Sequence, residues 1–314
     1  MELKNMTIGE IASLPVFDGF QEIVGEENLD MAVRVNAITV GEMCRIIPVW
    51  NEEELLEGLD YIYDRAESDD LAFHSICEEQ KTGCLGFSLK EKAPCVFICA
   101  GGSYRHCCNI QEAFPTVKRL NQAGIAAFVV QYRTAKDYSF EGAMDDLADA
   151  VKWVFDNSDV LNVDPRGYAV MGFSAGGTVA ALWGCKHTGY QAHNLPKPGA
   201  VILGYPAVSI RAMEKEEIIS LFPEELSEDE ISRYSADENV DRDYPPLFAW
   251  AFEQDPDVAP EKHCCKLADS VQKAGIPVKC EIFPGSLHGV GIGEHTAAKG
   301  WLDRAVDFWR EYCV

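Results

Sequence analysis

Apolar positions along the chain change their period near residue 80. Before that point the clearest signal is helical: Leu55, Leu56, Leu59, Ile62, Tyr63 and Ala66 recur at three- and four-residue spacing. Asn51 precedes them as a candidate N-cap, with Glu54 three positions on, so one amphipathic helix is predicted. Thr7 with Glu10 has capping-box spacing and predicts a brief earlier helix, and the stretch from there to Trp50 predicts a further strand or loop. After residue 80 short apolar runs take over at 95–100, 125–131, 168–173, 200–205, 247–252 and 278–283, with helical segments between most of them. The segment 142–156 turns Leu147, Ala150, Val151, Val154 and Phe155 to one side. Near-continuous apolar strands separated by helices predict an α/β fold, a mostly parallel sheet covered on both faces.

The pattern divides the chain into an N-terminal, partly helical extension, 1–80, and an α/β unit, 81–314. The extension is expected to complete a sheet edge, cover a pocket or support self-association into a homo-oligomer. Within the α/β unit, residues 209–243 break the rhythm with acidic runs and helix formers but no strand. Such a segment is either a solvated helical excursion or a small cap over a pocket.

A formal charge of −24 over 314 residues argues against nucleic acid and anionic membrane as partners and disfavours a polyanionic substrate. The longest apolar runs, such as 125–130, are far shorter than the ~20 residues of a membrane-spanning helix. The first ten residues have neither a basic n-region nor an apolar h-region. The 12 cysteines lie largely inside apolar runs, not at disulfide-scaffold spacing, which points to a reducing, cytoplasmic setting.

Candidate chemistry centres on Tyr168 to Thr178, where an apolar strand runs into Gly172-Phe173-Ser174-Ala175-Gly176-Gly177 and then a helical register. Gly-x-Ser-x-Gly alone arises by chance in roughly one chain in ten of this length. The strand before it and the helix after it predict a nucleophile elbow, with Ser174 exposed on a sharp turn. A serine hydroxyl needs a base, a group to orient that base, and donors for the developing oxyanion. In this elbow the acid and then the histidine follow beyond later strands. After 247–252 come Asp255 and Asp257, of which Asp255 is preferred because it lies directly in the turn. After 278–283 comes Pro-Gly-Ser-Leu-His-Gly, which exposes His288; His295 is its nearest rival, while His187 and His193 lie too soon after the serine and His263 belongs to the helix after the acid loop. Upstream, Ala100-Gly101-Gly102-Ser103-Tyr104 follows the first of the regular strands, so the N–H groups of Gly102 and Ser103, with that of Ala175, are the candidate oxyanion donors. The His-Cys-Cys triplets at 106–108 and 263–265 place cysteines at successive positions, which is awkward for one zinc site.

With Glu112, the run Leu120 to Phe128, Tyr132-Arg133 and Phe283-Pro284-Gly285-x-x-His288-Gly289, these residues resemble the carbohydrate-esterase-like branch of α/β hydrolases. Acetyl xylan esterases, feruloyl-esterase-like proteins and hormone-sensitive-lipase-like carboxylesterases belong to it. The resemblance covers about residues 80–314 and implies a Ser174–Asp255–His288 triad acting on a small-molecule ester without a cofactor or metal. Two positions depart from the usual pattern: Ser103 stands where a third glycine is common, and Val258-Ala259 where Val-Pro is common. The expected activity is hydrolysis of a small uncharged carboxylic ester, an acetylated sugar or xylo-oligosaccharide among the candidates. The alternatives are a serine peptidase with the same triad order and a non-catalytic binding protein on the same scaffold.

Overall fold

The computed structural model describes residues 2–25, 35–68, 71–214, 218, 222 and 225–312. Among the described residues four helices come first: α1 (Ile8–Ala12), α2 (Gln21–Val24), α3 (Val40–Ile46) and α4 (Glu52–Glu67). The Thr7–Glu10 capping box is present, and Asn51 caps α4 by accepting the Glu54 N–H at 3.0 Å. Before Trp50, where a strand or loop was expected, the chain instead forms α3. Its cause is a second capping box: Thr39 Oγ1 accepts the Glu42 N–H, and the Glu42 carboxylate accepts the Thr39 N–H.

The described strands and longer helices that follow are β1 (Leu71–Cys77), β2 (Thr82–Phe87), β3 (Ala93–Cys99), α5 (Phe114–Gln122), β4 (Ala126–Gln131), α6 (Phe140–Asp156) and β5 (Val163–Phe173). They continue with α7 (Ser174–Trp183), β6 (Ala200–Gly204), α8 (Glu228–Tyr234), β7 (Leu247–Phe252), α9 (Cys264–Lys273), β8 (Val278–Phe283) and α10 (Trp301–Tyr312). All eight strands form one sheet in the order β1-β2-β4-β3-β5-β6-β7-β8. From β4 to β8 every pairing is parallel; the β1–β2 and β2–β4 pairings are antiparallel. Residues of β3, β4, β6 and β7 are almost all buried, as a sheet covered on both faces requires.

The β1–β2 hairpin spans residue 80, so the sheet begins ahead of the regular strand pattern. Its alternation is obscured by Gly83 and Gly86, residues that ordinarily weaken a strand. Here they make room for rings: a Cβ on Gly86 would run into the Phe128 ring of β4, and one on Gly83 would lie 2.8 Å from the Phe73 ring.

Strand order reverses between β3 and β5, since β4 lies on one side of β3 and all later strands on the other. The crevice beyond the carboxyl ends at such a reversal is where ligands bind in open α/β sheets. The loop from Ala100 and the turn at Ser174 both leave the sheet there. Of the expected cap, residues 215–217, 219–221 and 223–224 lie outside the described residues. Its described parts hold α8 and two short 3-10 turns, and the Phe222 ring packs 5.0 Å from Phe140 and 5.3 Å from Tyr104.

Candidate active site

Ser174 directly follows β5 and is the first residue of α7, and its backbone takes φ = +47°, the strained left-handed region. That kink demands close approach on either side. A Cβ at Gly176 would collide with the carbonyl oxygens of Cys99 and Ala100, so only glycine lets α7 press against the end of β3. The turn places the serine hydroxyl at the helix N-terminus, where backbone N–H groups lack intrahelical acceptors.

The structure brings Ser174, His288 and Asp255 into one hydrogen-bonded chain. Ser174 Oγ lies 2.8 Å from His288 Nε2, and His288 Nδ1 lies 2.7 Å from Asp255 Oδ2. Because a carboxylate only accepts, Nδ1 carries the proton and Nε2 is left as the acceptor for the serine hydroxyl. Asp255 is buried, and its second oxygen accepts the N–H groups of Asp257 at 2.9 Å and Val258 at 2.8 Å. Asp257 therefore contributes a backbone donor to Asp255, and its own side chain is on the exposed surface.

Three of the other histidines bond elsewhere. His295 Nε2 meets the Val49 carbonyl at 3.0 Å, His193 Nδ1 the Gly189 carbonyl at 2.9 Å, and His263 Nδ1 accepts the Ser209 N–H at 3.2 Å. Burial pushes the His106 and His263 imidazoles down to about 4, so both are neutral at pH 7. In the first His-Cys-Cys triplet Cys107 reaches the Tyr132 carbonyl and Cys108 lies 3.3 Å from His106 Nε2, and in the second Cys264 lies 3.7 Å from Cys280.

Beside Ser174, the loop after β3 takes positive φ at three successive residues, Gly102, Ser103 and Tyr104. The Gly102 and Ser103 N–H groups donate to no protein acceptor among the described residues. Ala175 N–H is one of the uncommitted donors at the start of α7. Tyr104 anchors the loop from below through a 2.6 Å bond to Thr178 on α7, and the Tyr132 hydroxyl donates to the Ala100 carbonyl at 2.7 Å.

Two parts of the site lie outside the triad and the candidate oxyanion donors. The first is a carboxyl under the loop: Glu112 is buried, and its oxygens accept the Gly101 N–H at 2.5 Å and the Tyr205 hydroxyl at 2.8 Å. Burial raises it to about 7, against the pull of those two donors and of His288. The second is a wall from the N-terminal segment. A chamber of 910 Å³ opens on Ser174 and His288 and is lined on its far side by Val35, Ile38, Met43, Ile46, Val49 and Trp50. The Trp50 indole donates to the Gly289 carbonyl at 2.8 Å, and Glu54 accepts the Gly293 N–H at 3.2 Å.

The elbow at the strand-order reversal, with acid and histidine following β7 and β8, is the architecture of an α/β hydrolase, and the comparisons agree. The BD-FAE family model matches residues 86–268, more than half of the chain. The chain belongs to the BD-FAE family. It is 29% identical over 200 residues to an acetylxylan esterase of Xylanibacter ruminicola, covering 62% of this chain and 40% of that one. Against endo-1,4-beta-xylanase B of Butyrivibrio fibrisolvens it is 26% identical over 220 residues, 67% of this chain and 34% of that one. The chain thus spans about a third to two fifths of the length of these curated relatives. Among solved structures, an acetyl ester-xyloside bifunctional hydrolase from Caldicellulosiruptor lactoaceticus superposes with a TM-score of 0.65 at 28% identity, covering 73% of this chain and 88% of that one. A carboxylesterase from Lactobacillus plantarum shares the fold, with a TM-score of 0.66 at 19% identity over 77% and 96% of the two chains. Among the described residues no helix is long and apolar enough to cross a membrane.

Proposed function

We propose that this BD-FAE member is a carboxylic ester hydrolase that works through an acyl-enzyme on Ser174. The observation that carries the reading is the unbroken chain from Ser174 Oγ through His288 to Asp255. Ser174 Oγ attacks the ester carbonyl carbon while its proton passes to His288 Nε2. The carbonyl electron pair moves onto oxygen, where the N–H groups of Gly102, Ser103 and Ala175 stabilise it. Asp255 holds the imidazole in its tautomer and stabilises the imidazolium. Collapse expels the alcohol, which takes the proton from His288. Water, deprotonated by the same histidine, then attacks the acyl carbon and frees the carboxylic acid and Ser174.

The substrate class best supported is a small uncharged ester, with an acetyl group on a carbohydrate as the first candidate. Its support is the naming of relatives as acetylxylan esterase and as acetyl ester-xyloside hydrolase. A reducing, cytoplasmic location fits the cysteines, which are all free among the described residues. The test is a panel of p-nitrophenyl acetate, acetylated xylo-oligosaccharide and aminoacyl amides, run on the wild type and on Ser174→Ala with fluorophosphonate labelling. Ester turnover and labelling that vanish in the variant are expected. Full turnover by Ser174→Ala would overturn the reading, and faster cleavage of amides than of esters would replace it with peptide hydrolysis.

A further inference from the structure

Three loops build the site, and one buried side chain ties them together. Glu112 sits in the turn at Asn109–Ala113, just before α5, and reaches back to the loop after β3 through the Gly101 N–H. Its other oxygen takes the hydroxyl proton of Tyr205, the residue after β6. The Tyr205 oxygen in turn accepts the Gly291 N–H at 2.9 Å, three residues beyond His288. The Tyr205 ring also packs edge-on against the His288 imidazole, with centroids 4.9 Å apart. One carboxyl thus fixes the oxyanion loop directly and the histidine loop through a single phenol.

We propose that Glu112 is a positioning residue for ester hydrolysis: its carboxylate, through Gly101 and through Tyr205 and Gly291, sets the oxyanion N–H groups and His288 in register around Ser174. The inference rests on the function proposed above. Hydrogen-bond inventory explains why the ionised carboxyl suits this place. Gly101 N–H and Tyr205 O–H both donate, while the Tyr205 oxygen is already accepting from Gly291, so two separate acceptor oxygens are required. An ionised carboxylate offers two; a glutamine offers one acceptor and a donor group. Protonation has the same consequence, because one oxygen then carries a hydrogen facing the phenol.

The titratable groups facing this carboxyl are Tyr205, from the loop after β6, and His288, from the histidine loop. His106 and Cys108 of the oxyanion loop line the same chamber, and Glu54 of α4 is held away by Gly293 and His295. Tyr205 stays neutral, since burial holds its hydroxyl well above the usual tyrosine range. His288 must be deprotonated to act as base, and Glu112, raised to about 7, must be ionised to hold both donors. Activity on the acid side is therefore expected to fall with the uptake of two protons.

The experiment is the pH profile of kcat/KM with p-nitrophenyl acetate for wild type, Glu112→Gln, Tyr205→Phe and Ser174→Ala. In Glu112→Gln, kcat at pH 8 is expected to fall about tenfold or more with KM within twofold. That loss is smaller than the 10²–10³ typical of deleting an oxyanion donor outright. Its acid limb should steepen as one proton, not two. Tyr205→Phe keeps the Gly101 contact but removes a donor that favours the ionised carboxyl, so the upper step of its acid limb should move to higher pH. It also serves as the working variant should Glu112→Gln not fold. A Glu112→Gln enzyme within twofold of wild type with an unchanged acid slope would overturn the inference, as would a Tyr205→Phe limb that stays in place. Ser174→Ala separates the two levels: retained turnover there defeats the proposed function, whereas a dead Ser174→Ala beside a wild-type-like Glu112→Gln defeats only the role of Glu112.

Discussion

The indole N–H of Trp50 donates to the carbonyl oxygen of Gly289 at 2.8 Å, so a residue ahead of the sheet holds the backbone immediately after His288. A partly buried neutral hydrogen bond of this kind contributes about 1 kcal/mol. Trp50→Phe keeps an aromatic ring and removes the donor, and kcat/KM for p-nitrophenyl acetate should fall about fivefold. An unchanged kcat/KM would mean that the histidine loop holds its place without the N-terminal segment.

Asp255 and Asp257 separate cleanly by environment. Asp255 is buried against His288 Nδ1, and Asp257 supplies only its backbone N–H. Asp255→Asn disturbs the imidazole tautomer, and kcat should drop on the order of 10³- to 10⁴-fold. Asp257→Asn keeps the backbone donor and should stay within twofold. Equal losses in both variants would count against Asp255 as the orienting acid.

Ile46 is 68% exposed and Ile47 37% exposed, both at the mouth of the chamber beside Ser174. Such residues add little to folding and are available to an apolar portion of the substrate. Replacing both by serine should raise KM for p-nitrophenyl butyrate about fivefold, roughly 1 kcal/mol of lost apolar contact. With kcat and the thermal midpoint unchanged, the loss would be of uniform binding. A KM equal to wild type would show that the ester does not reach this rim.

Acid sensitivity follows from the buried histidines. His263 and His106 titrate at about 4 in the folded protein against 6.5 when free, so the unfolded chain binds more protons between those values. Their contribution to stability is complete above pH 6.5 and is lost as pH falls toward 4. Glu112 works in the opposite sense: raised from 4.5 to about 7, it favours folding most below 4.5 and loses that contribution as pH rises through 7. Two histidines outweigh one carboxyl, and the midpoint in a thermal scan should fall between pH 6.5 and 4. His263→Gln, which can still accept the Ser209 N–H, should show a shallower fall; an identical curve would remove His263 as a cause.

The parallel strands and the α/β-hydrolase fold were legible from the sequence because each signal is local. Buried parallel strands are continuous apolar runs, and the Ser174 elbow needs small residues at fixed offsets. Asp255 and His288 could be named because each follows directly on a strand whose end the pattern marks. What could not be read depends on partners remote in sequence. Gly83 and Gly86 look like strand breakers until the Phe73 and Phe128 rings are beside them. The helix α3 was hidden inside a weakly periodic stretch, although the Thr39–Glu42 box repeats the signature at Thr7 and Glu10. Glu112 could be singled out only as part of a family resemblance, and its contacts with Gly101 and with Tyr205, 93 residues away, are what show its place in the site.

The bonds from Trp50 to Gly289 and from Glu54 to Gly293 each join residues 239 apart in the chain. During synthesis at about 5–20 residues per second, the N-terminal wall would wait roughly 10–50 s for its partners to be made. The Trp50 indole has no Gly289 carbonyl to bond during that interval. A ribosome-bound chain stalled before residue 288 would therefore carry its serine and its half of the chamber, yet hydrolyse nothing.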